Sequence, residues 1–162
     1  MQDLGVSSAN IRTHLPQINN LPHRLELVGE YQGIKFVDDS KSTSAQSLRA
    51  GLSAYAIKNI ILIAGGHDKG DIFTGLVPDF AAKVRQAICI GATAPAFMAV
   101  ARTAGVPSIE ATSMSSAVEL ALGVAHPGDT ILLSPGCASF GMFRNYLDRA
   151  EQFRAAFFKL EV

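Results

Sequence analysis

The sequence predicts an α/β protein with a Rossmann-like fold, in which helices cover both faces of a mostly parallel sheet of about six strands with an antiparallel edge hairpin. Apolar runs of strand length alternate with helix-like segments over most of the chain, as in consecutive βα units. The runs at residues 60–63 and 130–133 are apolar on both faces, as central parallel strands are when helices pack on both sides. Hydrophobic residues make up 48% of the 162 positions and charged residues only 17%, so the chain can form one ordinary core.

The N-terminal part contains a predicted helix followed by a predicted hairpin. Residues 8–15 have the pattern of a short helix, and a polar connector follows at residues 17–21. Two alternating runs, at residues 24–31 and 34–38, are separated by Gln32 and Gly33, which favours a tight antiparallel hairpin.

The remainder of the chain alternates regularly between the two kinds of element. The spacing predicts strands over residues 59–64, 86–91, 106–110 and 129–134. It predicts helices over residues 43–55, 76–84, 95–104, 115–125 and 142–160. In the last helix, five residues at intervals of three and four are predicted to form one apolar stripe: Phe143, Leu147, Ala150, Phe153 and Phe157.

Charge and cysteine content exclude several classes of protein. Lys plus Arg and Asp plus Glu both number 14, so no net field attracts nucleic acid or an anionic membrane surface. No apolar stretch is long enough to cross a bilayer, and the first residues lack the pattern of a secretion signal. Cys89 and Cys137 lie far apart without a CxxC pair, which favours a reducing compartment. We therefore expect a cytoplasmic protein with no nucleic-acid partner and no membrane insertion.

Candidate functional residues lie in three polar loops, at residues 38–44, 65–70 and 134–139. Each follows a predicted strand, and in an open α/β sheet ligands bind beyond the carboxyl ends of the strands. In the first loop, Thr43 and Gln46 have capping-box spacing, and the positive end of such a helix favours an anion. Lys41 adds a full charge, and Asp39 can accept hydrogen bonds from ribose hydroxyls. The alternative is a capped helix with a solvated aspartate and lysine.

The other two loops carry weaker signals. Lys69 follows a glycine pair on a turn, where it can bind a carboxylate or phosphate of a ligand or be a plain surface charge. Ser139 can present its hydroxyl and backbone N–H to a carboxylate. Cys137 suggests a nucleophile, but no His or Asp stands in a known motif relation to it, so a small buried cysteine is the preferred interpretation.

The common phosphate-binding motifs are missing from the sequence. No glycine is followed directly by lysine, and no two glycines are separated by a single residue, so there is neither a Walker A loop nor a GxGxxG. The hydrolase and zinc-protease motifs GxSxG and HExxH are missing as well. We therefore expect that this chain alone does not hold a triphosphate.

Four strings, in order along the chain, resemble the C-terminal domain of the Mur ligases. They are Leu-Pro-His-Arg at residues 21–24, Asp-Ser-Lys-Ser-Thr at 39–43, Gly-Gly-His-Asp-Lys-Gly at 65–70 and Ser-Pro-Gly-Cys-Ala-Ser-Phe at 134–140, the last continuing to Phe-Arg-Asn-Tyr at 143–146. The likeness is strongest to the D-glutamate-adding members of the family. Gly141 and Ala150 depart from it, since the family commonly has Asp and Gly at these positions.

The resemblance implies an ATP-dependent ligase of peptidoglycan synthesis with three domains, of which this chain supplies the third. That domain would occupy residues 21–162, and residues 1–20 would be a remnant of the central ATPase domain with its linker. In the family reaction, ATP phosphorylates the carboxylate of UDP-N-acetylmuramoyl-L-alanine, and the amine of D-glutamate attacks the acyl phosphate, leaving ADP and phosphate. ATP and Mg²⁺ would be held mainly by the central domain. This chain alone would bind neither tightly and would be inactive.

The resemblance also implies roles for individual residues. Three match nucleotide-binding positions: Arg24, Asp39 and Lys41. Two match catalytic positions: Lys41 and Thr43. Five match positions around D-glutamate: Thr43, Lys69, Ser139, Phe140 and Tyr146. No residue is implied as a metal ligand, and His67 has no assigned role.

A different class of function is compatible with the same residues. A free-standing α/β module that binds a nucleotide or an amino acid without catalysis would also use the glycine pair and the helix N-termini. A cysteine-dependent hydrolase that uses Cys137 is the least favoured interpretation.

Overall fold

The structure is a computed structural model that describes residues 21–67, 69–70 and 72–160. Its strands are β1 (Glu26–Tyr31), β2 (Ile34–Asp38), β3 (Ile60–Gly65), β4 (Val84–Ile90), β5 (Ser108–Ala111) and β6 (Thr130–Leu133). Its helices are α1 (Ala45–Ser53), α2 (Val77–Lys83), α3 (Ala94–Thr103), α4 (Met114–Val124) and α5 (Tyr146–Phe158). The predicted helix at residues 8–15 and the predicted domain remnant at residues 1–20 lie outside the described residues.

The six strands form one sheet in the order β1-β2-β6-β3-β4-β5. β1 and β2 are antiparallel, with Tyr31 opposite Ile34, and the other neighbouring pairs are parallel. The prediction of a mostly parallel sheet with an antiparallel edge hairpin is therefore confirmed.

Helices pack on both faces of the sheet, as predicted. One hydrophobic cluster joins the sheet to α1, α2 and α3, with Leu48 and Phe97 among its buried residues. A second cluster joins the other face to α4 and α5, with Val118 and Phe153 among its members. Alternate residues of β3 belong to the two clusters, which is why all six of its residues are buried. Among the described residues, no helix combines the length and the apolar content needed to cross a bilayer.

The predicted capping box at Thr43 and Gln46 is wrong by one residue. Ser44 is the N-cap of α1, and its hydroxyl accepts a hydrogen bond from the backbone N–H of Ser47. In return the Ser47 hydroxyl accepts one from the N–H of Ser44. Because Ser44 has an extended backbone with φ −146°, it can fold its side chain back over the first turn.

The closing helix α5 begins at Tyr146, four residues later than predicted. Asn145 caps it, because its Oδ1 accepts hydrogen bonds from the backbone N–H groups of Leu147 and Asp148. The predicted apolar stripe is wrong at Leu147, which is 42% exposed. The buried face of the helix consists of Arg149, Ala150, Phe153, Ala156 and Phe157.

Arg149 is fully buried and ties α5 to the carboxyl edge of the sheet. Its Nη1 donates a hydrogen bond to the Cys137 carbonyl at 3.0 Å, and its Nη2 donates one to the Ser40 carbonyl at 2.8 Å. Burial lowers the pKa of Arg149 to about 10, so the side chain is still charged at neutral pH. One side chain thus joins three segments that are far apart in sequence.

The end of β3 leaves no room for a side chain. Gly65 has φ +118°, and a Cβ atom built on it would overlap the carbonyl oxygen of Ile90 in the neighbouring strand β4. Only glycine satisfies both the backbone angle and the close approach.

We expect Gly65→Ala to lower the free energy of unfolding by about 3 kcal/mol or more, because it adds backbone strain to a clash with main-chain atoms. Gly123→Ala is the matched control. Gly123 is exposed in α4 with nothing within 4 Å of an added Cβ, so we expect a gain of about 0.5–1 kcal/mol from better helix propensity. Urea unfolding of the 162-residue chain measures both values, and equal effects would contradict the assigned geometry.

We expect Arg149→Met to lower the free energy of unfolding by about 2–4 kcal/mol, because two buried carbonyl groups lose their donors. Arg102→Met, at an exposed position of α3, should change it by about 0.5 kcal/mol or less. The same urea titration compares the two variants. A stability for Arg149→Met equal to that of the unmodified chain would show that the buried guanidinium contributes no net stabilisation.

Candidate functional site

The loops that follow β2, β3 and β6 lie side by side, because these three strands are neighbours in the sheet. The Gly136 N–H donates a hydrogen bond to the Ser42 carbonyl at 3.0 Å, which joins the β6 loop to the β2 loop. The His67 N–H donates one to the Ala138 carbonyl at 2.9 Å, which joins the β3 loop to the β6 loop. The helix that follows β6 packs on the opposite face from those that follow β2 and β3, and a crevice opens at such a reversal.

The residues singled out from the sequence come together at this edge of the sheet. Because β1 runs antiparallel to β2, the turn before β1 reaches the same edge as the loop after β2. The loop after β3 brings Lys69, which is exposed. The full set is Arg24, Asp39, Lys41, Thr43, Lys69, Ser139, Phe140 and Tyr146.

Asp39 is buried and only partly satisfied. Its Oδ2 accepts a hydrogen bond of 2.7 Å from the Ser134 hydroxyl, whereas its Oδ1 has no hydrogen-bond partner among the residues that the structure describes. The Arg24 guanidinium lies 3.9 Å from that Oδ1 and is 42% exposed. Burial raises the pKa of the Asp39 carboxyl, whereas the Ser134 hydrogen bond, the Arg24 charge and the backbone N–H of Leu25 act in the opposite direction. A buried acceptor without a donor suits a hydroxyl group of a ligand such as ribose.

Lys41 contacts residues from both ends of the described chain. Its backbone N–H donates a hydrogen bond to the His23 carbonyl at 3.1 Å. Its Nζ lies 6.0 Å from the centroid of the Tyr146 ring, at the outer limit of a cation–π contact. The His23 ring meets the same tyrosine edge-on, with the centroids 6.2 Å apart. The turn before β1, the β2 loop and the start of α5 therefore form one wall of the site.

The remaining predicted residues lie along the rim of the crevice. Ser139 is 4% exposed, and its neighbour Phe140 is 58% exposed. Thr43 is half-buried and precedes the N-cap of α1. Gly141 has φ +90°, a backbone conformation that favours glycine, and it lies four residues before the Asn145 cap of α5.

A buried ionic network beneath this wall was not predicted from the sequence. Asp38 has no exposed surface; its Oδ2 lies 2.8 Å from His23 Nδ1 and 3.2 Å from Arg154 Nη2. Arg154 also bonds Glu26 at 2.7 Å. Burial favours the neutral form of Asp38, but hydrogen bonds from Ser40 and His23 outweigh it and lower its pKa. The sequence contained one signal for this network, because Asp38 is a carboxylate at the end of the apolar strand β2.

This network includes residues of the turn before β1, whose backbone conformation is unusual. His23 has φ +61° and Leu25 has φ +46°, so two residues in the left-handed region flank Arg24. The His23 N–H donates a hydrogen bond to Glu26 Oε2 at 2.8 Å, which closes the turn. The left-handed residues explain why β1 begins at Glu26 and not at residue 24 as predicted.

The same network is a poor site for a metal ion. One ligand atom from each of His23, Glu26 and Asp38 lies within 4.8 Å of the others. However, the Arg154 guanidinium already bonds both carboxylates, so a cation placed there would face a fixed positive charge. These residues therefore have a structural role, in which Arg154 bridges the carboxylates of Glu26 and Asp38.

A second recess lies away from this edge. It has a volume of about 840 Å³ between the turn at Thr74–Leu76, α2 and α3, and its lining residues carry no charge. Such a lining does not suit a nucleotide or a dicarboxylate, so the polar crevice is the candidate site.

Comparison with known proteins supports the assignment of the fold and the family. Residues 23–137 match the family described as Mur ligase, glutamate ligase domain. The structure of a UDP-N-acetylmuramate-alanine ligase from Thermotoga maritima matches with a TM-score of 0.64 at 12% identity, covering 98% of this chain and 35% of that one. At this identity the likeness shows the fold alone.

Two curated relatives are more similar in sequence, and both are named UDP-N-acetylmuramoylalanine–D-glutamate ligase. The protein from Ralstonia nicotianae is 44% identical over 153 residues, which cover 94% of this chain and 30% of the relative. The protein from Nitrosomonas europaea is 42% identical over 142 residues, which cover 88% of this chain and 30% of the relative. The chain thus spans about 30% of the length of these relatives. It belongs to the family of Mur ligase glutamate ligase domains.

Proposed function

We propose that this chain is the C-terminal domain of a cytoplasmic, ATP-dependent and ADP-forming ligase that adds D-glutamate to UDP-N-acetylmuramoyl-L-alanine in peptidoglycan synthesis. The observation that carries the proposal is that two lysines, a partly satisfied buried carboxylate and a serine meet at one sheet edge. The names of the relatives support D-glutamate as the amino acid that is added.

Asp39 and Arg24 suit the nucleotide side of the proposed site. Asp39 Oδ1, which makes no hydrogen bond within the described chain, can accept one from a ribose hydroxyl, and Arg24 can pair with a phosphate from the turn before β1. ATP and Mg²⁺ would be held mainly by the preceding domains of the ligase, because the sequence of this chain has no Walker A loop. The chain would close the nucleotide site from one side.

Lys41, Thr43 and Lys69 suit the side where the amide bond forms. D-Glutamate carries two carboxylates, which Lys69 and the Ser139 hydroxyl can bind at the rim. Attack of its amine on an acyl phosphate gives a negatively charged tetrahedral intermediate, which Lys41 can stabilise with help from the Thr43 hydroxyl. Phe140 and Tyr146 would form the wall that orients the amino acid.

A domain exchange tests the proposed activity. In the Nitrosomonas europaea relative, the C-terminal segment that matches this chain is replaced by residues 21–162. We expect the chimera to release ADP only when ATP, UDP-N-acetylmuramoyl-L-alanine and D-glutamate are all present, because the preceding domains supply the parts that this chain lacks. Coupled ADP release and mass spectrometry of the product measure the outcome.

The matching segment of the Ralstonia nicotianae relative, inserted at the same junction, is the control for domain compatibility. An active control beside a folded but inactive chimera would overturn the proposal.

Calorimetry of the 162-residue chain tests the alternative of a free-standing module. We expect no binding of ADP or D-glutamate tighter than about 1 mM, since each ligand would meet only part of its site.

Lys69→Ala in the active chimera should raise the KM for D-glutamate about 10- to 100-fold, because a charge-assisted hydrogen bond to a carboxylate is lost. Lys58→Ala is the matched control, since Lys58 is exposed before β3 at the opposite edge of the sheet. Steady-state kinetics at saturating ATP separate the two. An unchanged KM for D-glutamate would remove Lys69 from the acceptor site.

A further inference from the structure

Thr93 occupies a position where its side chain is expected to cap a helix, and it does not do so. It is the N-cap residue of α3, where a threonine hydroxyl ordinarily accepts a hydrogen bond from the first turn. Here the hydroxyl makes no capping hydrogen bond, and the residue is only 2% exposed. The Thr93 hydroxyl is therefore available for contacts with the neighbouring loops at the carboxyl edge of the sheet.

Both backbone polar groups of Gly66 bond to Thr93. The Gly66 N–H donates a hydrogen bond to Thr93 Oγ1 at 3.0 Å. The Gly66 carbonyl accepts one from the Thr93 N–H at 3.2 Å, and Thr93 Oγ1 lies 3.4 Å from the same oxygen. The start of the β3 loop is thus fixed to the turn between β4 and α3.

The same hydroxyl also reaches the β6 loop. Thr93 Oγ1 lies 3.4 Å from the Cys137 sulfur. A Cβ atom built on Gly66 would overlap the Ala138 carbonyl oxygen, so the β3 and β6 loops touch through their main chains at this point. Thr93 is therefore in contact with the two loops that carry Lys69 and Ser139.

We propose that Thr93 is a positioning residue that sets the spacing between Lys69 and Ser139 and so the fit of the acceptor dicarboxylate. Lys69 lies three residues after Gly66, and Ser139 directly follows Ala138. Within the described chain, the Thr93 hydroxyl contacts Gly66 and Cys137 and neither of the nucleotide-side residues Arg24 and Asp39, so its effect falls on the acceptor side. This proposal rests on the proposed function for the identity of the acceptor.

The test uses Thr93→Val and Thr93→Ser in the active chimera. Valine keeps the shape but leaves the Gly66 N–H without its acceptor, whereas serine keeps the hydroxyl. We expect Thr93→Val to raise the KM for D-glutamate about tenfold and the KM for ATP less than twofold, and Thr93→Ser to restore the KM for D-glutamate to within about threefold of the unmodified value. A merely structural role would change both KM values or neither.

Thr103→Val at the exposed end of the same helix is the matched control, because among the described residues its hydroxyl bonds the Ala99 carbonyl in the preceding turn of that helix. We expect it to leave both KM values within twofold. An unchanged KM for D-glutamate in Thr93→Val, or an equal rise in the KM for ATP, would overturn the proposal.

Amide hydrogen exchange of the 162-residue chain gives a readout that does not depend on ligase activity. We expect the Gly66 N–H to exchange at least tenfold faster in Thr93→Val, with amides of β5 unchanged. If the chimera shows no ligase activity while the domain-exchange control is active, the proposed function fails, and this measurement still decides whether Thr93 fixes the β3 loop. Unchanged Gly66 exchange would overturn the positioning role.

Discussion

The candidate site depends on one constraint: the loop after β6 is buried at the carboxyl edge of the sheet, and its backbone polar groups must bond to the neighbouring loops. Residues 134–139 are all buried, so their N–H and carbonyl groups lack access to bulk water. Partners come from the loops after β2 and β3 and from Arg149. The backbone hydrogen bonds therefore fix where Asp39, Lys41 and Ser139 lie. The side chains of these residues supply the charges and the hydroxyl group of the candidate site.

Periodicity was sufficient to predict the class of fold, because buried parallel strands and amphipathic helices leave distinct patterns. It did not define the ends of elements. At α1, two serines at capping-box spacing lie one residue away from an equally plausible Thr43 and Gln46 pair. At α5, Phe143 continued the apolar spacing although its backbone lies outside the helix. Apolar side chains pack equally well from a loop, so hydrophobic spacing alone extends a helix too far.

Short sequence strings were sufficient to predict the residues of the candidate site. They did not predict the contacts between distant residues that hold the site together. Thr93 and Gly66 lie on different loops, and Asp38 and Arg154 are separated by 116 positions. Pairings at such separations follow from the strand order, which local sequence does not encode. Arg149 did leave a signal, because it lies four residues before Phe153 and therefore on the buried face of its helix.

The two cysteines are not joined by a disulfide and are buried at different places in the same hydrophobic cluster. Cys89 lies within β4, where burial raises the pKa of its thiol to about 12. Cys137 lies in the β6 loop beside Thr93. Since alkylating reagents attack the thiolate, each sulfur becomes reactive only when its surroundings separate. Labelling rates at the two positions would therefore distinguish fluctuations of the sheet from fluctuations of the ligand-facing edge, without an introduced cysteine.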